Sequence, residues 1–217
     1  MVSARNYGSI LGVISYMETL KFNVNWDYRC PFARIINEHI VVGLQNGADW
    51  KVNFIPFSLT DVHSEEGDPP SWEDPAKADE LLPGQVGIVI KKVFPEVFND
   101  FHVLLFSMRH DHGKDLRNID VLRAAISEVG LDPKEVFAEI ESGWPLKEYR
   151  EQHEESVRSY SVFGVPTIFV GERAAFVRLM KRADGNPQTS IDYIEKIVDQ
   201  ISNHPEINEL KHTTVSN

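Results

Sequence analysis

Between residues 21 and 57 the side-chain pattern changes period twice, which leaves few topologies open. Lys21-Phe22-Asn23-Val24-Asn25-Trp26 alternates, with Phe22, Val24 and Trp26 on one face and Asn23 and Asn25 on the other, the period of a strand with one side on a core. After Asp27-Tyr28-Arg29 comes Cys30-Pro31. Proline suits the first position of a helix, where a missing N–H costs nothing. Ala33, Ile36, Ile40 and Leu44 then recur at helical spacing, and Gly47 marks the stop. Trp50-Lys51-Val52-Asn53-Phe54-Ile55-Pro56-Phe57 is a second alternating strand, ended by Pro56. Strand, helix and strand within about forty residues read as a right-handed crossover with parallel strands.

Cys30 is the only cysteine among 217 residues, and it stands where strand gives way to helix. The unpaired N–H groups and the dipole of the coming helix favour a thiolate there. Arg29 is a second candidate source of positive charge. These features make Cys30 a candidate nucleophile, against the alternative of a small buried apolar side chain. Asp27 is placed to orient a water or accept a proton near the sulfur, or else to cap the following turn. Tyr28 is placed to donate its hydroxyl to a substrate, or else to pack as an aromatic.

Beyond the second strand the chain changes character. Residues 61–75 are acidic and proline-rich, a surface loop, and residues 76–160 are helical in pattern. Phe94, Phe98, Phe101, Leu105 and Met108 form one stripe, read as core packing. Further helices are expected at Asn118–Val129, Pro133–Ser142 and Pro145–Tyr160, each opened by turn chemistry. Strand character returns at Val165–Val170. Gly171-Glu172-Arg173 makes a hairpin turn, and Ala174–Leu179 runs back. A last helix carries Ile191, Ile194, Val198 and Ile201 on one face, followed by a tail from His204 that is expected to be only partly ordered. The divisions are therefore 20–62, 63–160 and 161–204, with extensions at 1–19 and 205–217. Residues 1–16 read as a loosely attached extension with Met17 as an alternative start, in preference to a signal peptide, because Tyr16-Met17-Glu18 is a poor cleavage site.

The formal net charge is −11 with no local cluster of Lys and Arg, which speaks against nucleic acid or an anionic membrane as partner. No apolar run reaches the roughly 18 residues of a membrane span. One cysteine rules out an internal disulfide and fits a reducing cytoplasm. His102, His110 and His112 with Asp111 are the right residue types for a metal, yet spacing sets no third ligand, so they read as a solvated loop and no metal is expected. His63 beside Glu65 and Glu66 reads the same way. Glu151-Gln152-His153-Glu154-Glu155 reads as an exposed helix face. Serine-hydrolase, P-loop and dinucleotide signatures are missing.

With Asp27-Tyr28-Arg29-Cys30-Pro31-Phe32-Ala33 after the first strand and Phe163-Gly164-Val165-Pro166-Thr167 opening the hairpin, the chain resembles a DsbA-family thioredoxin-fold protein over residues 20–205. The resemblance implies an α/β, thioredoxin-like fold with a large all-helical insertion between the βαβ half and the β-hairpin-α half. It implies that Pro166 is cis and lies against Cys30, and that the Val165 backbone pairs with a substrate or small thiol. Cys30 would be catalytic, and Asp27, Tyr28, Arg29, Pro31, Phe32, Ala33, Val165, Pro166 and Thr167 would activate it or bind substrate. Redox members carry Cys-x-x-Cys, whereas the fourth position here is Ala33, so the chemistry must be single-thiol. The leading expectation is a thiol-disulfide oxidoreductase whose mixed disulfide is resolved by an external thiol. The alternatives are an enzyme like the kappa-class glutathione transferases and 2-hydroxychromene-2-carboxylate isomerases, which binds a thiol cofactor, and a non-catalytic thioredoxin-like binding module. No tightly bound cofactor is expected; the partner is a low-molecular-weight thiol or disulfide, and a homodimer is left open.

Overall fold

The computed structural model of the protein describes residues 19–214. The expected extension up to residue 18, with its alternative start at Met17, lies outside the described residues. Four strands form one mixed sheet. Strand β1 (Leu20–Trp26) runs parallel to β2 (Trp50–Pro56), with Val24 opposite Phe54. Helix α1 (Pro31–Gln45) makes the crossover between them. The other edge of β1 takes β3 (Thr167–Val170) antiparallel, and β4 (Arg173–Phe176) pairs with β3. The order β2-β1-β3-β4 thus puts β1 in the centre, where Phe22, Val24 and Trp26 are buried. Helix α8 (Pro187–Asn203) packs beside α1.

Between the two halves of the sheet lies a helical block. It runs through α2 (Leu59–Val62), a 3-10 turn at Pro75–Lys77, α3 (Ala78–Val93), a second 3-10 turn at Pro95–Val97, α4 (Phe98–His110), α5 (Ile119–Glu128), α6 (Pro133–Glu141) and α7 (Trp144–Tyr160). Asn118 and Asp132 cap α5 and α6 by accepting the N–H groups of Asp120 and Lys134, the arrangement their turn chemistry favours. Phe98, Phe101 and Leu105 of the aromatic stripe are buried as core. Gly87 lets α3 approach the end of β1 closely: a Cβ there would stand 2.7 Å from Trp26 Cη2 and 2.8 Å from Tyr28 Oη.

Four sequence expectations need correction. Asn25 does not face solvent; it is fully buried, because its amide serves the loop before β3. His102 is no loop residue but the centre of α4's buried face. His153 turns inward from α7, accepting the Ser58 N–H at Nδ1 and facing Asp61 Oδ2 at 3.3 Å through Nε2. The hairpin is shorter than its apolar run: Pro166 has no N–H to give a ladder, so β3 opens at Thr167, and Arg173 joins β4 rather than the turn. Among the described residues no group of three or more His, Cys, Asp or Glu is placed to hold a metal, and no helix is long and apolar enough to cross a membrane.

Candidate active site

Cys30 is the N-cap of α1, in extended backbone with φ −87° and ψ 118°. Its sulfur accepts the Ala33 N–H at 3.4 Å, satisfying one of the helix's unpaired donors. Its thiol donates to the Val165 carbonyl at 3.3 Å. The Val165–Pro166 peptide is cis. Residues 135 positions apart therefore meet at the sulfur of Cys30, a residue only 8% exposed. Asn25 holds the loop in place: its Nδ2 donates to the Gly164 carbonyl at 3.1 Å, and its Oδ1 accepts the Thr167 N–H. The Thr167 hydroxyl donates to the same Gly164 carbonyl at 2.9 Å, so Thr167 shapes the loop from within. Pro31 is exposed, Phe32 half-buried and Ala33 fully buried.

The electrostatics differ from the sequence expectation in sign and in source. Burial pushes the Cys30 thiol above its ordinary pKa, and the nearby charge of Asp27 adds to the rise. The Ala33 and Phe32 N–H groups and the charge of Arg178 pull the other way without offsetting the burial. Cys30 is accordingly protonated at neutral pH, not held as a thiolate. Arg29 is not the stabilising cation. Its guanidinium is committed to Asp27 Oδ2 at 2.9 Å and Glu80 Oε2 at 3.1 Å.

The cation that does act on the sulfur is Arg178, stacked over the Phe32 ring at 4.2 Å. Its segment is pinned to α1 by Arg182, which bonds Glu38 Oε1 at 2.8 Å and Asp111 Oδ1 at 3.2 Å. Arg34 joins the same network through Glu38 and Asp111, and its hydrogen bond holds the Asp111 carboxyl down at about 2. No spacing in the sequence ties position 178 to position 30, so this residue was not foreseen. Asn25 was foreseen only as a solvent-facing strand residue; an amide beside two buried apolar positions was its one signal.

Tyr28 packs as a buried aromatic. It is 2% exposed, and its hydroxyl meets His102 Nδ1 at 3.0 Å. Asn37 Nδ2 donates to the Ala33 carbonyl at 2.8 Å, which turns Asn37 Oδ1 toward His102 Nε2 at 3.1 Å. His102 must then carry its proton on Nε2 and accept from Tyr28. Burial drives the His102 pKa down to about 3, so the ring stays neutral. Asp27 serves as a cap: its carboxylate accepts the backbone N–H groups of Arg29 and Leu59, each at 2.9 Å.

The family model of a DSBA-like thioredoxin domain matches residues 90–186. The molecule has a DsbA-like thioredoxin fold. Reduced DsbA1 from Neisseria meningitidis superposes with a TM-score of 0.55 at 14% identity, covering 92% of this chain and 94% of that one. DsbA from Pseudomonas aeruginosa gives 0.52 at 20% identity, with 86% of each chain covered. A 2-hydroxychromene-2-carboxylate isomerase gives 0.57 at 14% identity, covering 83% of this chain and 97% of that one. No curated protein matches the sequence. In this DsbA-like fold the position three residues after the cysteine is Ala33, fully buried and bonded to Sγ only through its backbone.

Proposed function

We propose that this chain is a thiol-dependent enzyme in which Cys30 alone exchanges with a small thiol or disulfide. The observation that carries the reading is the double engagement of the Cys30 sulfur, by a helix N–H and by the Val165 carbonyl beside a cis proline. At rest the Cys30 S–H donates to that carbonyl. A substrate N–H bonding to Val165 displaces the proton, which leaves to solvent base, and the Ala33 and Phe32 N–H groups with Arg178 remain to stabilise the sulfur anion. The thiolate attacks one sulfur of a disulfide RS–SR′. The Cys30–S–SR bond forms, the S–S bond breaks, and R′S⁻ leaves and takes up a proton. Ala33 has no thiol to resolve the intermediate, so a second molecule R″SH, as its thiolate, attacks the R sulfur and releases Cys30 with RS–SR″. A cycle of this kind needs an ample supply of free thiol, and we place it in the cytoplasm for that reason.

The test is incubation of the folded protein with oxidised glutathione, followed by intact mass and peptide mapping. A single glutathione adduct on Cys30, absent from the Cys30→Ser variant, is expected. An inert Cys30 in the folded protein that reacts normally in denaturant would overturn the proposal.

A second reading draws on the raised thiol pKa. A cysteine that stays protonated can donate a hydrogen bond to the sulfur of a bound thiol cofactor, as a glutathione-transferase or isomerase-type enzyme would require. One neighbour of the fold is a 2-hydroxychromene-2-carboxylate isomerase. Turnover with a thiol cofactor that survives Cys30→Ser favours this reading, since a hydroxyl keeps the donor; loss of all turnover favours exchange at Cys30.

A further inference from the structure

The thiol chemistry makes no use of His153, a titratable ring buried where α7 meets the segment after β2. The ring stacks on Phe57 with centroids 4.3 Å apart and meets Trp72 edge-on at 5.3 Å. Its Nδ1 accepts the N–H of Ser58, itself fully buried, at 3.1 Å. The proton of the neutral ring therefore sits on Nε2, which faces Asp61 Oδ2 at 3.3 Å. Asp61 is also fixed independently, because its Oδ1 accepts the Ser71 N–H at 2.9 Å. Next to Ser58, the Leu59 N–H donates to Asp27 Oδ2 at 2.9 Å. Two consecutive backbone N–H groups thus join a titratable ring to the carboxylate whose charge bears on Cys30. The charged groups that act on the ring are carboxylates from three segments: Asp61 of α2, Glu154 of α7 (held by Arg150 at 2.8 Å) and Asp27 of the turn after β1 (held by Arg29). Each favours the imidazolium, yet burial outweighs them and lowers the His153 pKa, so the ring is neutral at pH 7.

We propose that His153 is a proton-operated latch on the start of α2: a second proton, taken up at Nδ1, releases the Ser58 N–H and with it the Leu59 N–H that caps Asp27. The step is a proton gain with no other bond made. The Nδ1 lone pair that held Ser58 becomes an N–H, and two donors facing each other share no hydrogen bond. Ser58 is then a buried donor without an acceptor, a condition relieved when its backbone turns to water. Asp61 stays, because Nε2–H remains its donor and is strengthened by the charge on the ring. The first residues of α2 therefore leave while Asp61 serves as the pivot. Leu59 follows Ser58 directly, so its bond to Asp27 goes too, and Asp27 keeps the Arg29 N–H and guanidinium as partners. The closed form is complete above the ordinary histidine pKa of about 6.5 and is lost as the pH falls through the lower value in the folded protein. The latch itself stands apart from the proposed thiol chemistry, since neither its proton nor its hydrogen bonds involve Cys30.

The test is NMR of the full chain from pH 7.5 down through the His153 titration, reading the imidazole resonances and the amide exchange of Ser58 and Leu59, corrected for the intrinsic effect of pH. Expected is a loss of protection at both amides of about tenfold or more, with the midpoint of His153, while the amide of Ile126, buried in α5, stays protected. His153→Asn sets a carbonyl oxygen near the Nδ1 position, an acceptor that does not titrate, and should keep both amides protected throughout. Should that variant fail to fold, Asp61→Asn serves instead: it removes a charge that favours the imidazolium, so the His153 midpoint and the opening of both amides should move together to lower pH. Amides that stay protected while His153 titrates overturn the proposal, as does opening at a midpoint unlike that of His153, opening at Ser58 alone, or a folded His153→Asn variant that opens like the parent.

Discussion

Replacing Ala33 by cysteine puts a resolving thiol where the DsbA-like fold of this protein has none. Residues 30 and 33 stand as N-cap and third residue of α1, a spacing that brings Cα atoms to about 5 Å, inside the range a disulfide spans. The Ala33 nitrogen already lies 3.4 Å from Sγ, so its side chain branches one bond away from the sulfur's own partner. Closing a four-residue loop is worth about 2 kcal/mol to the oxidised form in the chain-entropy account. Ala33 is fully buried, and an added sulfur there costs about 1–3 kcal/mol by overpacking. The oxidised Ala33→Cys variant should therefore unfold within about 1 kcal/mol of the parent, and the reduced variant earlier. The kinetic consequence is larger. A glutathione adduct on Cys30 of the parent persists after free thiol is removed, because only a second molecule can displace it. In the variant the neighbouring thiol attacks at an effective concentration of millimolar or more, and the adduct should be lost within the dead time of a desalting column. Intact mass against time reads this directly, with near-UV circular dichroism to show that the variant is folded. A folded Ala33→Cys variant that keeps its glutathione as long as the parent would refute the geometry on which the proposed exchange rests.

Alkylation of Cys30 by iodoacetamide should be slow at pH 7 and climb steeply through the alkaline range, since burial raises the thiol pKa; Arg178→Gln should slow it a further two- to fivefold or so, the reach of an exposed charge, and a plateau at neutral pH would contradict both. His102 is held neutral with its pKa near 3, whereas unfolded histidine titrates near 6.5. Its contribution is therefore complete above pH 6.5 and falls by about 1.4 kcal/mol per pH unit below it, about 2 kcal/mol by pH 5. Urea midpoints at pH 7 and pH 5 should show that loss, and His102→Gln should flatten it. Gly87→Ala drives a methyl against Trp26 and Tyr28 at 2.7–2.8 Å; a melting temperature several degrees lower is expected, from roughly 1–3 kcal/mol of overpacking, and an unchanged one would mean that α3 moves freely away from β1.

The linear order of residues determines the local elements here, because period and turn chemistry act over a few neighbours. Phe22, Val24 and Trp26 at period two, Pro31 opening a helix and Asn118 and Asp132 as caps all behave as their types dictate. The meeting of strand and helix at Cys30 was visible for the same reason. What surrounds the sulfur was not, because those contacts join segments far apart in the chain. Asn25 looked solvent-facing until the Gly164–Thr167 loop claimed its amide. Arg29 looked like the thiol's cation until Glu80, 51 positions on, drew it away, and Arg178, unmarked by any spacing, took its place beside Phe32. The histidines at 102 and 153 read as solvated residues, but Tyr28, Asn37 and Ser58 supply the hydrogen bonds that let their rings be buried. The sign of the Cys30 shift was decided in the same way. Helix N–H groups belong to the local sequence and favour the anion, whereas desolvation is set by everything packed around the sulfur and outweighs them.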